Sequence, residues 1–361
     1  MQTQSVSLLI AKCDGSRLVR FRICLVASTV LWILGVAYWV WSPDPLAMFH
    51  LCPRWTWWLA GVAPVGLAFF QSFSRWRVLL SAMLVWCVSG IILVEESRSL
   101  ARGWIGASPT LTRNQEHRRL LRIVTLNCGS GGGLPVRDAL DWNPDIVLLQ
   151  ESPSRAELEA LAAESFGENA SVIWSSDASI MSRFPILDDS IETGSCFVRA
   201  RVPISNGLNL SVISLRLQPP LIRLDFWRAA CWQSYQTIRN KHRQQLREVI
   251  ADGLPRNVNG SDAVFVGGDF NLVALDPGLE VLPHWLSDSF RTAGRGWGNT
   301  IVSDFPVHRI DQIWTTWHFS PKLVRAVYTP HSDHRMIVAD FEFDDGPLVV
   351  SALAPAINAG L

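Results

Sequence analysis

Charged residues disappear from three stretches near the start of the chain. Ile23 to Trp41 is rich in Leu, Val, Ile and Trp and has no charge. That is about the length a helix needs to cross a hydrocarbon core. Trp55 to Phe73 is a second uncharged stretch, interrupted by Pro64 and Gly66, and Val78 to Val94 is a third. Only Ser74-Arg75-Trp76-Arg77 links the last two. The pattern predicts a helical transmembrane region over 1–94, with helices at about 23–41, 55–73 and 78–94. Core helices of a soluble protein are the competing reading, and three uncharged stretches in series with flanking Trp weigh against it. A cleaved signal peptide fits less well, because two further apolar segments follow the first.

After a polar, Gly- and Pro-containing linker at 95–119, the pattern changes to short apolar runs punctuated by turn residues. Strands are expected at Leu121–Leu126, Asp145–Leu149, near Ser171–Trp174, at Ala178–Ser182, Cys196–Val202, Leu208–Leu217 and Ala263–Val266. Three more are expected near Arg309–Thr315, Lys322–Tyr328 and Met336–Phe343. Helices are expected at Val136–Asp141, from Ser154 to Phe166 with Glu157 in a capping box, and from about Thr237 to Ala251. Strands outnumber helices and come in pairs. This argues for two sheets packed face to face with helices outside, and against a doubly wound parallel sheet.

Charge sharpens the division. Of the 32 Lys/Arg and 32 Asp/Glu, residues 1–112 hold 9 and 4, leaving the remainder acidic. An acidic second half is poor material for non-specific duplex-DNA binding, which draws on phosphate neutralisation. Lys12, Arg17, Arg20 and Arg22 precede the first apolar stretch, and Arg75 and Arg77 lie between the second and third. Both clusters belong on the cytoplasmic side. The expected product is a multi-pass cell-membrane protein with a cytoplasmic N-terminus and everything after Val94 outside the cytoplasm. The seven cysteines have neither disulfide nor metal-ligand spacing and read as structural.

Polar side chains gather at the strand ends. Asn127 ends the first strand and Glu151 follows the second. Gly267 and Gly268 close the run Ala263–Val266, and Asp269 and Asn271 come next, two residues apart and so aimed the same way in extended chain. Asp311 lies in His308-Arg309-Ile310-Asp311, and His331, Asp333 and His334 precede the last strand. Glu151 and Asp333 are hard oxygen ligands suited to Mg2+ or Mn2+. Asp311 and His334 form a plausible carboxylate–imidazole pair.

These motifs resemble the endonuclease/exonuclease/phosphatase (DNase I-like) superfamily, in a membrane-anchored bacterial-type form. The matching segments are Thr125-Leu126-Asn127, Leu149-Gln150-Glu151, Ser182-Arg183-Phe184-Pro185-Ile186, Gly268-Asp269-Phe270-Asn271, Arg309-Ile310-Asp311-Gln312-Ile313 and Ser332-Asp333-His334. The resemblance implies a four-layer α/β/β/α sandwich, placed at 120–345, followed by a tail at 346–361. It implies a phosphoesterase dependent on Mg2+ or Mn2+, with Glu151 holding the metal and Asn127 and Asp333 nearby. Asp269 would orient or deprotonate the attacking water, Asn271 would position that water or a phosphate oxygen, and Asp311 would pair with a phosphate-binding His334.

The chain departs from the family at Arg216, where most members carry histidine. Arginine can hold a phosphate oxygen but cannot carry a proton at neutral pH. The next stretch, Pro219 to Lys241, mixes Phe226, Trp227, Trp232 and Tyr235 with arginines. It reads either as a helix packing its aromatics into the sandwich or as an amphipathic segment touching lipid. The expected partners are the lipid bilayer and a phosphoester substrate (lipid head group, small phosphoester or nucleic acid), with no obligate protein partner. The competing function is a non-catalytic, membrane-tethered binding module that kept the fold.

Overall fold

A computed structural model describes residues 2–344 apart from 72, 106–113, 116–117, 130–131, 188–191, 195, 206–207 and 256–261. The expected tail at 346–361 and the 106–113 part of the linker lie outside the described residues. The chain divides into two compact units, Met1–Ala101 with Arg223–Gln236, and Arg102–Ile222 with Thr237–Leu361.

The first unit is helical: α1 (Gln2–Trp41), α2 (Arg54–Gln71) and α3 (Trp76–Leu93). Gly15–Trp41 and Trp76–Leu93 are each long and apolar enough to cross a membrane; α2 falls short of that measure. Arg54, Gln71 and three indoles dilute its hydropathy. Small residues let the helices approach closely. A Cβ at Gly35 would lie 1.7 Å from the Trp57 ring, and one at Gly61 would lie 1.9 Å from Trp86. Indole N–H groups tie the helices together: Trp86 donates to Ser28 Oγ at 2.8 Å and Trp32 to Ser89 Oγ at 2.7 Å. Close-packed small residues and interhelical hydrogen bonds are how helices associate where apolar burial drives nothing, as in lipid. Outward, Ile23, Val26, Leu34, Leu84 and Ile91 are exposed.

The second unit is a sandwich. In chain order, α4 (Glu95–Ile105) leads into it, followed by β1 (Asn114–Gln115), β2 (Arg118–Asn127), α5 (Leu134–Leu140), β3 (Ile146–Gln150), α6 (Arg155–Phe166), β4 (Ser171–Ile173), β5 (Ala178–Ser182), β6 (Glu192–Thr193), β7 (Phe197–Ser205) and β8 (Leu208–Arg216). Then come α7 (Ala229–Glu248), β9 (Asp262–Asp269), β10 (Ser287–Asp288), α8 (Ser289–Ala293), β11 (Asp311–Thr315), β12 (Ser320–Val327) and β13 (Met336–Asp344). Among the described residues one sheet runs β12-β13-β2-β3-β5-β4, with β1 beside β2, and the other runs β10-β11-β9-β8-β7-β6.

Strand alternation builds the layers. Ile123, Leu148, Val212, Phe265 and Ile337 point into one buried cluster shared by both sheets. Their neighbours point out: Val124, Leu149 and Val338 pack under α5 and α6, while Ile213, Val264 and Val266 pack against Leu246 of α7 and Val249 just beyond it. Both faces of each central strand are therefore covered, which is why the strands read as continuous apolar runs. This is the four-layer DNase I-like arrangement.

Three elements differ from expectation. The strand expected to stop at Val266 continues through Gly267 and Gly268 to Asp269. Gly268 sits at φ +143°, and a Cβ there would lie 2.0 Å from the Leu215 carbonyl oxygen, so only glycine fits. The capping box is half made: Ser154 Oγ accepts from Glu157 N–H at 3.4 Å, but the Glu157 carboxylate accepts from Gly133 N–H at 2.9 Å instead. Helix α7 starts at Ala229, before the Thr237 expected.

Candidate active site

Strand register assembles the site. Arg216 on β8 is the Cα partner of Asp269 on β9, and Asp269 is the partner of Asp311 on β11. In the other sheet Asn127 at the end of β2 pairs with Gln150, and Glu151 follows it. Glu151 and Asn271 both adopt left-handed backbone, at φ +48° and +47°. That conformation is costly for residues with a Cβ and concentrates at functional sites.

Asp269 is the hub. Its Oδ2 accepts from the side-chain amides of Asn127 and Asn271, each at 3.0 Å, and its Oδ1 accepts from Asn271 N–H at 2.9 Å. The second Asn271 amide proton goes to the Leu217 carbonyl at 2.9 Å. The Asn271 amide therefore acts on Asp269. Asn127 also donates to Glu151 Oε1 at 3.2 Å and accepts from Gly129 N–H at 2.9 Å. Complete burial, then the nearby Asp311 charge, push the Asp269 carboxyl up to about 7, against the pull of His334 and those hydrogen bonds.

His334 Nδ1 lies 2.9 Å from Asp311 Oδ2, with both side chains buried. Burial opposes the charged ring. The Asp311 carboxylate and its hydrogen bond override that, and the imidazole is raised to about 9. It is therefore protonated at neutral pH, its Nδ1–H donating to Asp311 and leaving its other N–H as a donor. Thr300 Oγ1 accepts from Ile310 and Asp311 N–H and fixes the strand start. Stability from the pair is therefore complete below about pH 6.5 and lost as pH rises through about 9. The 6.5-to-9 shift corresponds to roughly 3 kcal/mol. Urea unfolding of wild type should show that loss between pH 7 and 9 as an order-of-magnitude guide, and Asp311→Asn should flatten the profile.

The expected metal ligands are arranged differently from one another. Glu151 Oε1 is held by Arg216 Nη2 at 2.6 Å, and Arg216 Nη1 reaches Asp177 at 3.4 Å. Asp333 is exposed; its carboxylate abuts Gly129, where an added Cβ would come within 2.8 Å of Oδ1. The backbone carbonyl of Asn127 accepts from the neighbouring Ser332 Oγ at 2.6 Å. One ligand atom each from Asp269, Asp311 and His334 lies within 4.8 Å of the others. Asp311 Oδ1 is buried with no hydrogen-bond partner. Asp269 and Asp311 offer carboxylate oxygens, one of them unsatisfied, beside the imidazole of His334, and the carboxylates of Glu151 and Asp333 with the amide oxygen of Asn127 are the hard donors that suit a small divalent cation.

Sequence reasoning missed three supports. Asp177 steadies Arg216, Thr300 caps the strand, and Asp288 pairs with Arg309 at 2.5 Å in full burial. Arg309 lies inside a recognised motif; its partner lies in a two-residue strand that has no periodicity to detect. The helix-into-sandwich reading of 219–241 is corrected for Arg223–Gln236. Cys231 and Tyr235 pack with Ala47 in the helical unit, with Trp232 beside them.

The family model described as Endonuclease/Exonuclease/phosphatase family matches residues 110–334. This chain belongs to that family. Members hydrolyse phosphoester bonds and are generally dependent on divalent metals, and this chain is a phosphoester hydrolase. No curated protein matches it in sequence. Several solved structures are similar. An endonuclease/exonuclease/phosphatase from Beutenbergia cavernae shares 17% identity over 63% of this chain and 72% of that one, with a TM-score of 0.47. Humanized D. rerio TDP2 shares 17% identity over 62% and 98%, with a TM-score of 0.44. Beta toxin from Staphylococcus aureus shares 18% identity over 61% and 99%, with a TM-score of 0.44.

Proposed function

We propose that this chain is a membrane-anchored, Mg2+- or Mn2+-dependent phosphoesterase that hydrolyses its substrate by direct attack of an activated water. The observation that carries this reading is Asp269: a buried carboxylate raised to about 7, fixed by three hydrogen bonds, beside a protonated His334. A group poised near neutral pH is matched to taking a proton from water. Asn127 and Asn271 orient it. His334, held charged by Asp311, donates to a non-bridging phosphate oxygen as negative charge builds there. Arg216 offers a guanidinium to a second oxygen. No protein nucleophile is needed.

Glu151, Asn127 and Asp333 would hold the metal. Bound there, it supplies Lewis-acid neutralisation of the phosphate and lowers the pKa of a water. His334 is left out of this set because its proton is held up to about 9. The acidic balance of the sandwich disfavours long duplex DNA, leaving a lipid head group, a small phosphoester or a single strand as substrate. Three crossings by α1, α2 and α3, with Arg17, Arg20 and Arg22 before the apolar part of α1 and Arg75 and Arg77 at the α2–α3 connection, would leave the sandwich outside the cytoplasm, and α1 and α3 are each long and apolar enough for that role. A fluorescent reporter that matures only in the cytoplasm, fused after Leu361, should stay dark; a bright fusion reverses the orientation.

A second reading, a binding module without activity, has one observation on its side: Arg216 already occupies Glu151. A Mn2+ titration followed by electron paramagnetic resonance separates the two. Binding by wild type should be lost in Glu151→Gln and tightened several-fold in Arg216→Gln, which removes the competing cation. No binding by any form would leave the binding module as the better account.

A further inference from the structure

The stretch between β8 and α7 leaves apolar surface uncovered. Leu221, Ile222, Leu224, Phe226 and Trp227 are between 59% and 82% exposed. Five large apolar side chains within seven residues form a patch that water does not favour, and such patches mark interaction sites. Pro219 and Pro220 keep the stretch out of helix at its start. Its internal charges are cancelled: Arg223 and Asp225 form two hydrogen bonds of 3.0 and 2.6 Å, which hold the Asp225 carboxyl below its ordinary range.

The stretch is not loose. Tyr235 Oη accepts from Arg223 N–H at 2.8 Å and donates to the Arg223 carbonyl at 2.9 Å. Trp232 Nε1–H donates to the Phe226 carbonyl at 2.8 Å. Cys231, Trp232 and Tyr235 pack on Ala47, Met48 and Leu51, and Trp232 meets Phe49 edge-on at 5.5 Å. Those partners lie in the connection Asp44–Leu51 between α1 and α2, directly after Trp41 ends the apolar stretch of α1. If α1 spans the bilayer, this connection lies at head-group level. The composition also suits that level, with Trp, Phe and Leu exposed beside Arg228.

We propose that Leu221–Trp227 is an interfacial loop that inserts its five apolar side chains into the lipid leaflet on the sandwich side of the membrane. The occupant of the patch is lipid, because the unit that holds the loop in place is the one built of membrane-length apolar helices. Arg216, the candidate phosphate-binding arginine, ends β8 shortly before the loop begins. An enzyme whose recognition strand continues into a lipid-engaged loop suits a phosphoester carried by a lipid. The inference rests on the reading of the helices as membrane-spanning, and its test separates the two.

The full chain, reconstituted in nanodiscs of phosphatidylethanolamine and phosphatidylglycerol, carries one p-acetylphenylalanine coupled to a nitroxide, which leaves the native cysteines untouched. The label replaces Trp227, Leu224, Ile91 on α3 or Trp317, an equally exposed position on the sandwich. Power saturation then compares access of oxygen with access of a water-soluble nickel chelate. At positions 227 and 224 oxygen access should dominate, as at 91, while nickel access dominates at 317. Lipid-like behaviour at 91 with water-like behaviour at 227 and 224 overturns the loop proposal and leaves the anchor standing. Water-like behaviour at 91 overturns both. Protection from both reagents at 227 and 224 points to a second copy of the chain as occupant and also overturns the proposal.

Discussion

Asp269→Asn should lower kcat by on the order of 10²- to 10⁴-fold, the usual contribution of a general base, with KM little changed. The amide keeps the shape of the carboxylate but cannot accept the water's proton. Stability should change far less than activity. A carboxyl raised from 3.8 to about 7 in the folded state binds its proton more tightly there than in the unfolded chain. Its contribution therefore declines as pH climbs from about 4 through 7. Above pH 7 wild type buries a charge beside Asp311, and the neutral amide does not. At pH 8 relief of the buried charge and loss of one accepting oxygen oppose each other, so the variant should unfold close to the urea concentration of wild type while its activity is nearly gone. A variant that keeps wild-type kcat removes Asp269 from the mechanism. One that loses activity and stability together makes Asp269 structural.

Arg309→Ala should cost about 3–5 kcal/mol of stability, the range for breaking a buried ion pair. Arg309 reaches Asp288 at 2.5 and 3.3 Å, with both side chains almost inaccessible. Asp288 also caps α8, accepting from Phe290 N–H at 2.9 Å. Removing the guanidinium leaves a carboxylate buried without its counter-charge. Adding Asp288→Asn keeps the cap and removes the stranded charge, so the double variant should recover a large part of the loss. Urea unfolding of the single and double variants checks this; equal destabilisation in both would assign the cost to lost packing of the arginine. Arg309 lies two residues before Asp311, so the pair also holds the strand that presents the His334 partner.

What could be read in the sequence follows from what is local. The runs Ile146–Leu149 and Ala263–Val266 are buried on both faces, so they stand out as unbroken apolar segments. The polar residues that follow them, Glu151, Asp269 and Asn271, stand at the strand ends, where side chains from separate strands converge. What could not be read depends on pairing across the chain. Arg216 and Glu151 are 65 residues apart, and nothing local shows that the guanidinium sits on the expected metal ligand. The Glu157 carboxylate leaves the capping box because Gly133, 24 residues earlier, offers a competing N–H. The aromatics of α7 have a helical spacing that suits either unit. Their contact with the Asp44–Leu51 connection, far away in sequence, decides between them.

The central claim is that the site around Asp269 hydrolyses phosphoesters with the help of a divalent cation. The most direct measurement is release of p-nitrophenol from bis-p-nitrophenyl phosphate by the purified full chain in nanodiscs. The protein is first stripped with EDTA and then supplied with Mg2+ or Mn2+, with Asp269→Asn alongside. Background rates are expected after stripping, with recovery in wild type on adding either metal and no recovery in the variant. Equal rates for wild type and Asp269→Asn with metal present, both folded, would contradict the claim.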